Sequence, residues 1–123
     1  MSKIQEAIKR SGKVYVSITG LEIKSGIYNW LSFWRHAIPS KMQADGSSGI
    51  LSVDLKDVGK MHHTLTVWED KSSMMAFLNS GAHLGAMGAF DSIASGKVHG
   101  YETDVVPCWD EALALWEKHG RVV

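Results

Sequence analysis

Several features that define large protein classes are scarce or missing in this chain of 123 residues. Its single cysteine, Cys108, has no second thiol for an intrachain disulfide, which agrees with a reducing compartment and favours a buried structural thiol. The formal net charge is zero, which argues against a general nucleic-acid binder, because phosphate contacts need an excess of lysine and arginine. No apolar run approaches the roughly 20 residues of a membrane-spanning helix, and charges occupy the N-terminal segment where a signal peptide has its apolar centre. We therefore predict a cytoplasmic protein with no membrane span and no nucleic-acid partner.

The common signatures of catalytic and metal-binding sites are also missing. The sequence has no G-x-S-x-G elbow, no P-loop and no Rossmann glycine fingerprint. His62 and His63 are neighbours on a predicted strand, where successive side chains point to opposite faces, so they cannot share one metal ion. The same alternation places Asp54 and Asp57 on opposite faces and argues against a paired-carboxylate site. No metal site is predicted.

Hydrophobic periodicity and turn residues predict a regular order of helices and strands. Ser2 and Gln5 form a capping-box pattern at the start of a short helix that ends at Ser11-Gly12. The later elements are predicted as a strand over 14–23, a helix from residue 27, strands over 50–58 and 62–68, a broken helix over 72–95, a strand over 97–105 and a helix over 110–119. This order contains βαββαβ between about residues 14 and 105, with an added helix at each end. The predicted fold is α+β and ferredoxin-like, in one domain over residues 1–123.

The helix from residue 27 carries a stripe of large apolar side chains at i, i+3, i+4 and i+7 spacing. Its members are Ile27, Trp30, Leu31, Trp34, Ile38 and Met42. We expect this stripe to face the core and Pro39 to kink or break the helix. Arg35 and His36 fall off the stripe.

The two faces of the predicted sheet differ in polarity. Apolar side chains share one face, which is expected to lie under the helices: Val14, Val16, Ile18, Leu51, Val53, Leu55, Leu65 and Val67. The other face collects polar and aromatic side chains with few charges: Tyr15, Ser17, Thr19, Ser52, Thr64, Thr66, Trp68, His99, Tyr101 and Thr103. A face open to water usually carries more lysine and glutamate. This second face is therefore predicted to pack against the sheet of a second copy, giving a homodimer with a closed barrel.

The segment over residues 64–87 is the most informative for function. It begins as a strand that ends in Trp68 and continues as a helix that carries Phe77 and is interrupted at Gly81. The helical run that follows places a histidine on an apolar stripe, whose members are His83, Met87, Phe90 and Ala94. An indole at a strand end and a histidine on such a stripe predict one wall of a small-molecule pocket between helices and sheet. Two structural interpretations stay open: a core histidine that donates to a carbonyl, and an indole that fills the interior.

Two motifs resemble a known superfamily. Residues 64–70 read TLTVWED, with the pattern TxTxWED, and a helix and the sequence SGAH follow them. This half of the chain resembles small monooxygenase-type domains of the dimeric α+β barrel superfamily, which includes antibiotic biosynthesis monooxygenase-like proteins. The FWRH segment over residues 33–36 resembles the first helix of spheroidene monooxygenase-like proteins in the same superfamily. The resemblance covers about residues 14–105 and implies a ferredoxin-like fold, a dimeric barrel and oxidation of a small molecule.

The residues and the resemblance together give a candidate site. His83 and Trp68 are the predicted catalytic residues, and a second group is predicted to bind a cofactor or ligand: Trp34, Arg35, His36, Phe77 and Met87. Arg35 could meet a carboxylate such as a haem propionate. In haem-degrading members, the resemblance implies a tryptophan and an iron-binding histidine where this chain has Phe77 and Met87, so the cofactor stays open between haem and none. The leading function is a monooxygenase-type enzyme acting on a small hydrophobic or aromatic molecule. The alternatives are a non-catalytic haem- or ligand-binding module and a structural dimer without ligand.

Overall fold

The computed structural model describes residues 2–122 apart from the side chains of Ala82, Phe90 and Asp91. The elements are α1 (Lys3–Ser11), β1 (Val14–Ile23), α2 (Ile27–Asp45), β2 (Ile50–Val58), β3 (Met61–Trp68), α3 (Lys71–Leu78), α4 (Gly81–Ile93), β4 (Ala94–Thr103), α5 (Trp109–His119) and β5 (Arg121–Val122). The strands form one antiparallel sheet in the order β2-β3-β1-β4-β5. The predicted α+β, ferredoxin-like arrangement is confirmed.

Local sequence signals account for most of the element ends. The Ser2 hydroxyl accepts a hydrogen bond from the Gln5 amide, and the Gln5 side chain accepts one from the Ser2 amide, as the capping box predicts. Asp70 opens α3 in the same way by accepting from the Ser73 amide at 2.8 Å. The fourth strand starts at Ala94, earlier than predicted, because β4 follows α4 without a turn. The short β5, which the sequence analysis missed, pairs with Lys97 and Val98.

The register of the strands decides which side chains share a face of the sheet. Val16 lies opposite both Val67 and Tyr101, so these residues share one face. The core on this face is closed by the terminal helices, and its buried members are Ala7, Val14, Val16, Ile18, Leu65, Val67, Ala112 and Trp116. The apolar face therefore lies under helices, as predicted, and these helices are α1 and α5.

The polar face lies beneath α2, α3 and α4, so the prediction that it meets a second copy was wrong. Tyr15 and Trp68 pack there against Ala44 of α2 and against Met74 and Phe77 of α3. Several residues also change face relative to the prediction: Ser52, Val53, Leu55, His99, Tyr101 and Thr103. A bulge between Ile50 and Ser52 shifts the phase of β2, and a one-residue change of phase moves every following side chain to the other face.

Helix α2 turns a different side to the core than its sequence predicts. Phe33, Ser40 and Ala44 are its buried residues. Most of the predicted inner stripe is exposed: Ile27, Trp30, Leu31, Ile38 and Met42. The helix also continues through Pro39 without a break, so only the carbonyl of Arg35 loses its helical N–H partner.

Three further predictions concern Cys108, Phe90 and membrane-spanning helices. Cys108 is exposed, and its thiol donates to the Glu111 carboxylate at 3.3 Å, so the prediction of a buried thiol was wrong. The side chain of Phe90, expected on the His83 stripe, lies outside the described part of the chain. Within residues 2–122, no helix combines the length and the apolar character that crossing a membrane requires.

Candidate functional site

A cavity of about 300 Å³ lies between the polar face of the sheet and the three helices α2, α3 and α4. Hydroxyl and aromatic side chains of β1 and β3 form its floor: Ser17, Thr19, Thr64, Thr66 and Trp68. The helices form its walls with Trp34, Ser40, Phe77 and His83, among others. These five floor residues, which were assigned to a dimer interface, therefore line the cavity.

Trp68, Phe77 and His83 form a continuous row of rings along this cavity. The ring centroids of Trp68 and Phe77 are 5.3 Å apart, and those of Phe77 and His83 are 4.4 Å apart. Burial lowers the pKa of His83, and a hydrogen bond to the Leu78 backbone offsets part of that effect. Its imidazole is therefore neutral near pH 7, the state in which a histidine accepts a proton.

Besides His63 Nδ1 on the other face of the sheet, three buried polar atoms of cavity residues have no hydrogen-bond partner in the described part of the chain. They are Ser40 Oγ, Trp68 Nε1 and His83 Nδ1. Buried polar groups in folded proteins are nearly always paired, since an unpaired one costs about 1–3 kcal/mol. An indole nitrogen can only donate, whereas a hydroxyl can donate and accept. The three atoms together suit a ligand that carries an oxygen function on an otherwise apolar body.

The position of His83 depends on the break between α3 and α4. The amide nitrogen of the Gln43 side chain donates to the carbonyls of Ser80, at 2.8 Å, and Phe77, at 3.3 Å. The oxygen of the same side chain accepts from the backbone amide of His83 at 2.8 Å. Gly81 has a φ of +59° and lies against the Gln43 side chain, so the turn needs a residue without a Cβ. Gln43 on α2 thus holds both ends of the break.

The mouth of the cavity carries a second histidine. His62 Nδ1 lies 2.8 Å from the Asp57 carboxylate, and the His62 ring packs edge-on against Trp34 with centroids 5.1 Å apart. The neighbouring His63 lies on the other face, where its ring packs against Trp116 at 4.7 Å. The two histidines therefore point to opposite faces, as predicted. Among the described residues, no group of three histidine, cysteine or carboxylate side chains is arranged to hold a metal ion.

The structure brings together four of the seven predicted site residues. Trp34, Trp68, Phe77 and His83 line the cavity. The remaining three lie outside it: Arg35, His36 and Met87. Arg35 and Met87 are exposed.

Sequence reasoning missed Ser40, Gln43 and His62. Only Ser40 had a usable signal, because it falls on the same side of α2 as Phe33, seven residues earlier. Gln43 reads as an ordinary helix-surface residue. His62 gains its significance from Asp57 on the paired strand.

The cavity and the residues predicted to bind a cofactor fit a haem poorly. The cavity volume is at the lower end for small-molecule sites, which start near 300 Å³. Arg35, the residue expected to meet a propionate, lies outside the cavity, and so does Met87, at the position where the resemblance to haem-degrading proteins implies an iron-binding histidine. We therefore derive no chemistry through haem.

No protein-family model and no curated protein matches the sequence. Solved structures do match the fold. SnoaB, a cofactor-independent oxygenase from Streptomyces nogalater, has a TM-score of 0.56 and 11% identity over 79% of this chain and 97% of its own. A protein from Nitrosomonas europaea proposed to be an antibiotic biosynthesis monooxygenase has a TM-score of 0.61 and 11% identity, over 76% of this chain and 99% of its own. PA3566 from Pseudomonas aeruginosa has a TM-score of 0.61 and 13% identity, over 77% and 96%.

At these identities the likeness concerns the fold, and it agrees with the order of the strands and with the TxTxWED resemblance. The chain shares the α+β, ferredoxin-like fold of these solved structures.

Proposed function

We propose that this protein is a monooxygenase-type enzyme that oxidises a small, flat, mainly apolar molecule without a bound cofactor. The observation that carries the proposal is the set of three unpaired polar atoms on Ser40, Trp68 and His83 around one cavity. The cavity is otherwise largely aromatic and aliphatic, which suits a ring system with one oxygen function. The fold supports the reaction class, because SnoaB is a cofactor-independent oxygenase.

The residues suggest how such a reaction would start. Neutral His83 accepts a proton from an acidic O–H or C–H of the substrate. The Trp68 N–H and the Ser40 hydroxyl donate to the oxyanion that results and stabilise its negative charge. The electron-rich anion then reacts with O₂ as the second substrate. If a methylene becomes a carbonyl, one oxygen atom enters the product and the other leaves as water, so the substrate supplies all the electrons.

The test is oxygen uptake with a panel of hydroxylated tricyclic aromatic compounds, measured in the presence of a metal chelator. Wild-type protein should consume O₂ with at least one of them. His83→Ala should reduce the rate by about 10²–10⁴-fold, the usual worth of a general base. Met87→Ala is the matched control, because Met87 is exposed on the same helix one turn away and does not line the cavity. Equal losses in both variants, or no uptake by the wild type, would refute the enzymatic proposal.

A non-catalytic ligand-binding module is the second candidate. One observation favours it: the pKa of His83 responds to burial and to the Leu78 backbone, with no carboxylate among the causes of its shift. Quenching of tryptophan fluorescence by the same compounds, without oxygen uptake, would support this role. Haem is tested in the same series by its absorption spectrum, and a Soret band that His83→Ala removes would contradict our view of the fit.

A further inference from the structure

A histidine–aspartate pair at the mouth of the cavity has no part in the reaction proposed above. His62 of β3 and Asp57 of β2 lie opposite each other in the sheet, and both line the cavity. His62 Nδ1 lies 2.8 Å from Asp57 Oδ1. The His62 side chain is 25% exposed and that of Asp57 is 67% exposed. The imidazole is therefore mostly enclosed, while its carboxylate partner is largely in contact with solvent.

Asp57 determines which nitrogen of the His62 ring carries the proton. An ionised carboxylate can only accept a hydrogen bond, so Nδ1 of His62 donates to Asp57. In the neutral imidazole the other nitrogen, Nε2, is then an acceptor. Among the residues that the structure describes, His62 Nε2 has no hydrogen-bond partner. This acceptor suits an O–H or N–H group of a ligand in the cavity.

Two aromatic rings of α2 hold the His62 imidazole in place. The Trp34 ring packs edge-on against it with centroids 5.1 Å apart, and the Phe33 ring lies at 5.5 Å with an angle of 33° between the planes. Both aromatic side chains also line the cavity. A side chain that is already fixed loses little freedom when a ligand binds, so its hydrogen bond adds more to affinity. The Nε2 acceptor is preorganised in this sense.

The His62 end of the cavity has the opposite hydrogen-bonding character to the Trp68 end. The two residues are six positions apart on β3, so their side chains share one face and their Cα atoms are separated by about 20 Å. The unpaired Trp68 Nε1 can only donate, and it suits a carbonyl oxygen of a ligand. His62 Nε2 accepts, and it suits a donor. A ligand that meets both ends is elongated and carries an acceptor at one end and a donor at the other.

We propose that His62, oriented by Asp57, is a specificity-determining residue that selects elongated ligands with a hydroxyl or N–H group remote from the oxygen that meets Trp68. One hydrogen bond of this kind contributes modestly to affinity, but it discriminates between ligands that differ at that one group. The assignment rests on the proposed function only because both need a ligand in the cavity. It does not require that the ligand be oxidised.

Isothermal titration calorimetry at about pH 7.5, where an unperturbed imidazole is mainly neutral, tests this selection with two flat, elongated probes. They are 4-acetyl-4′-hydroxybiphenyl and 4-acetyl-4′-methoxybiphenyl, which both carry a ketone at one end, and only the first has a donor at the other. The wild type should bind the hydroxy probe about 5- to 10-fold more tightly, the worth of one hydrogen bond.

His62→Phe should abolish this preference, because phenylalanine keeps an aromatic ring beside Trp34 but has no acceptor. Phenylalanine is no smaller than histidine, so a preference caused only by the bulk of the methoxy group would survive the change. His119→Phe is the matched control, since His119 is exposed on α5 and does not line the cavity, and it should keep the preference. Thermal unfolding of each variant shows whether the fold is kept.

Asp57→Ala covers the case in which His62→Phe does not fold. It removes a largely exposed side chain and frees the protonation of the His62 ring, so the preference should fall at least about 2-fold. Asp54→Ala, on the same strand but outside the cavity lining, should leave the preference unchanged.

Three outcomes would overturn the proposal: equal affinities of the two probes for the wild type, a preference that survives in folded His62→Phe or in Asp57→Ala, or no binding of either probe. Oxygen uptake is not measured in these titrations. A protein that prefers the hydroxy probe through His62 but consumes no O₂ would refute the enzymatic proposal and leave this one standing. Oxygen uptake without any preference would do the reverse.

Discussion

The side-chain oxygen of Gln43 accepts a 2.8 Å hydrogen bond from the backbone amide of His83, although the two residues are 40 positions apart in the sequence. The other end of the same side chain holds the carbonyls of Phe77 and Ser80 across the break. One uncharged residue of α2 thus fixes where α4 begins and where the His83 ring lies relative to Phe77. The geometry of the candidate base depends on a residue that does not itself line the cavity.

Replacing Gln43 by alanine should release this break. The substitution leaves the amide of His83 and the Ser80 carbonyl without their partner, and we expect a loss of about 1–3 kcal/mol in the free energy of unfolding. Urea unfolding measures this loss. Asp45→Ala on the same helix removes only an exposed ion pair and should cost about 0–1 kcal/mol. Similar losses in the two variants would show that the Gln43 contacts are not structural.

Two glycines of α4 offer a paired test of backbone geometry. Gly81→Ala should destabilise the protein, because Gly81 has a φ of +59° and a Cβ there would lie 2.9 Å from the Gln43 side-chain oxygen. Gly85→Ala meets open space within the helix and should be neutral or stabilising by up to about 1 kcal/mol. Melting temperatures of the two variants should therefore move in opposite directions. A Gly81→Ala variant as stable as the wild type would contradict the geometry of the break.

Ser40→Ala separates stability from ligand binding. The Ser40 hydroxyl is buried without a partner in the described structure, so its removal should leave the free energy of unfolding unchanged or slightly higher. If the hydroxyl meets a ligand oxygen, the same change should weaken binding by about 5- to 10-fold, the worth of roughly 1 kcal/mol. Fluorescence titration and urea unfolding on one sample give both values. A large loss of stability with unchanged affinity would assign Ser40 to the fold alone.

The buried histidines predict that stability depends on pH. Burial lowers the pKa of His63 and His83 from the ordinary value of 6.5, so the unfolded chain takes up these protons more readily than the folded one. Their contribution to stability is complete above pH 6.5 and is lost as the pH falls through that value towards the lowered pKa values. Urea unfolding at about pH 7.5 and about pH 5 should show the decrease.

The His83→Gln variant is the control for this pH dependence, because glutamine keeps a polar side chain that does not titrate. Its unfolding free energy should fall less between the two pH values than that of the wild type. The Asp70 carboxyl does not add to the change in stability between these two pH values. The hydrogen bond from Ser73 lowers its pKa, so its contribution to stability is lost only below pH 3.8. Parallel slopes for wild type and variant would show that His83 does not carry the dependence.

The sequence determined the elements and their order, because the signals for these are local. The capping box at Ser2, the alternation of Val14 to Ile18 and the acids in the first turn of α5 each act over a few residues. These local signals gave the element order βαββαβ, which predicts the ferredoxin-like fold. They also assigned Trp34, Trp68, Phe77 and His83 to helices and strands that pack together in the structure. These residues were identified by chemical type on an apolar stripe or strand end.

Only the tertiary structure decided which faces meet. The apolar side of α2 satisfies helical periodicity whether it faces inward or outward, and the structure buries the side with Phe33, Ser40 and Ala44 instead. The phase of β2 depends on a bulge, and the phase of β4 depends on its register with β1, so alternation along one strand could not assign them. The contact between Gln43 and His83 joins distant parts of the chain and leaves no local pattern. Local periodicity fixes the elements, whereas the site depends on packing between them.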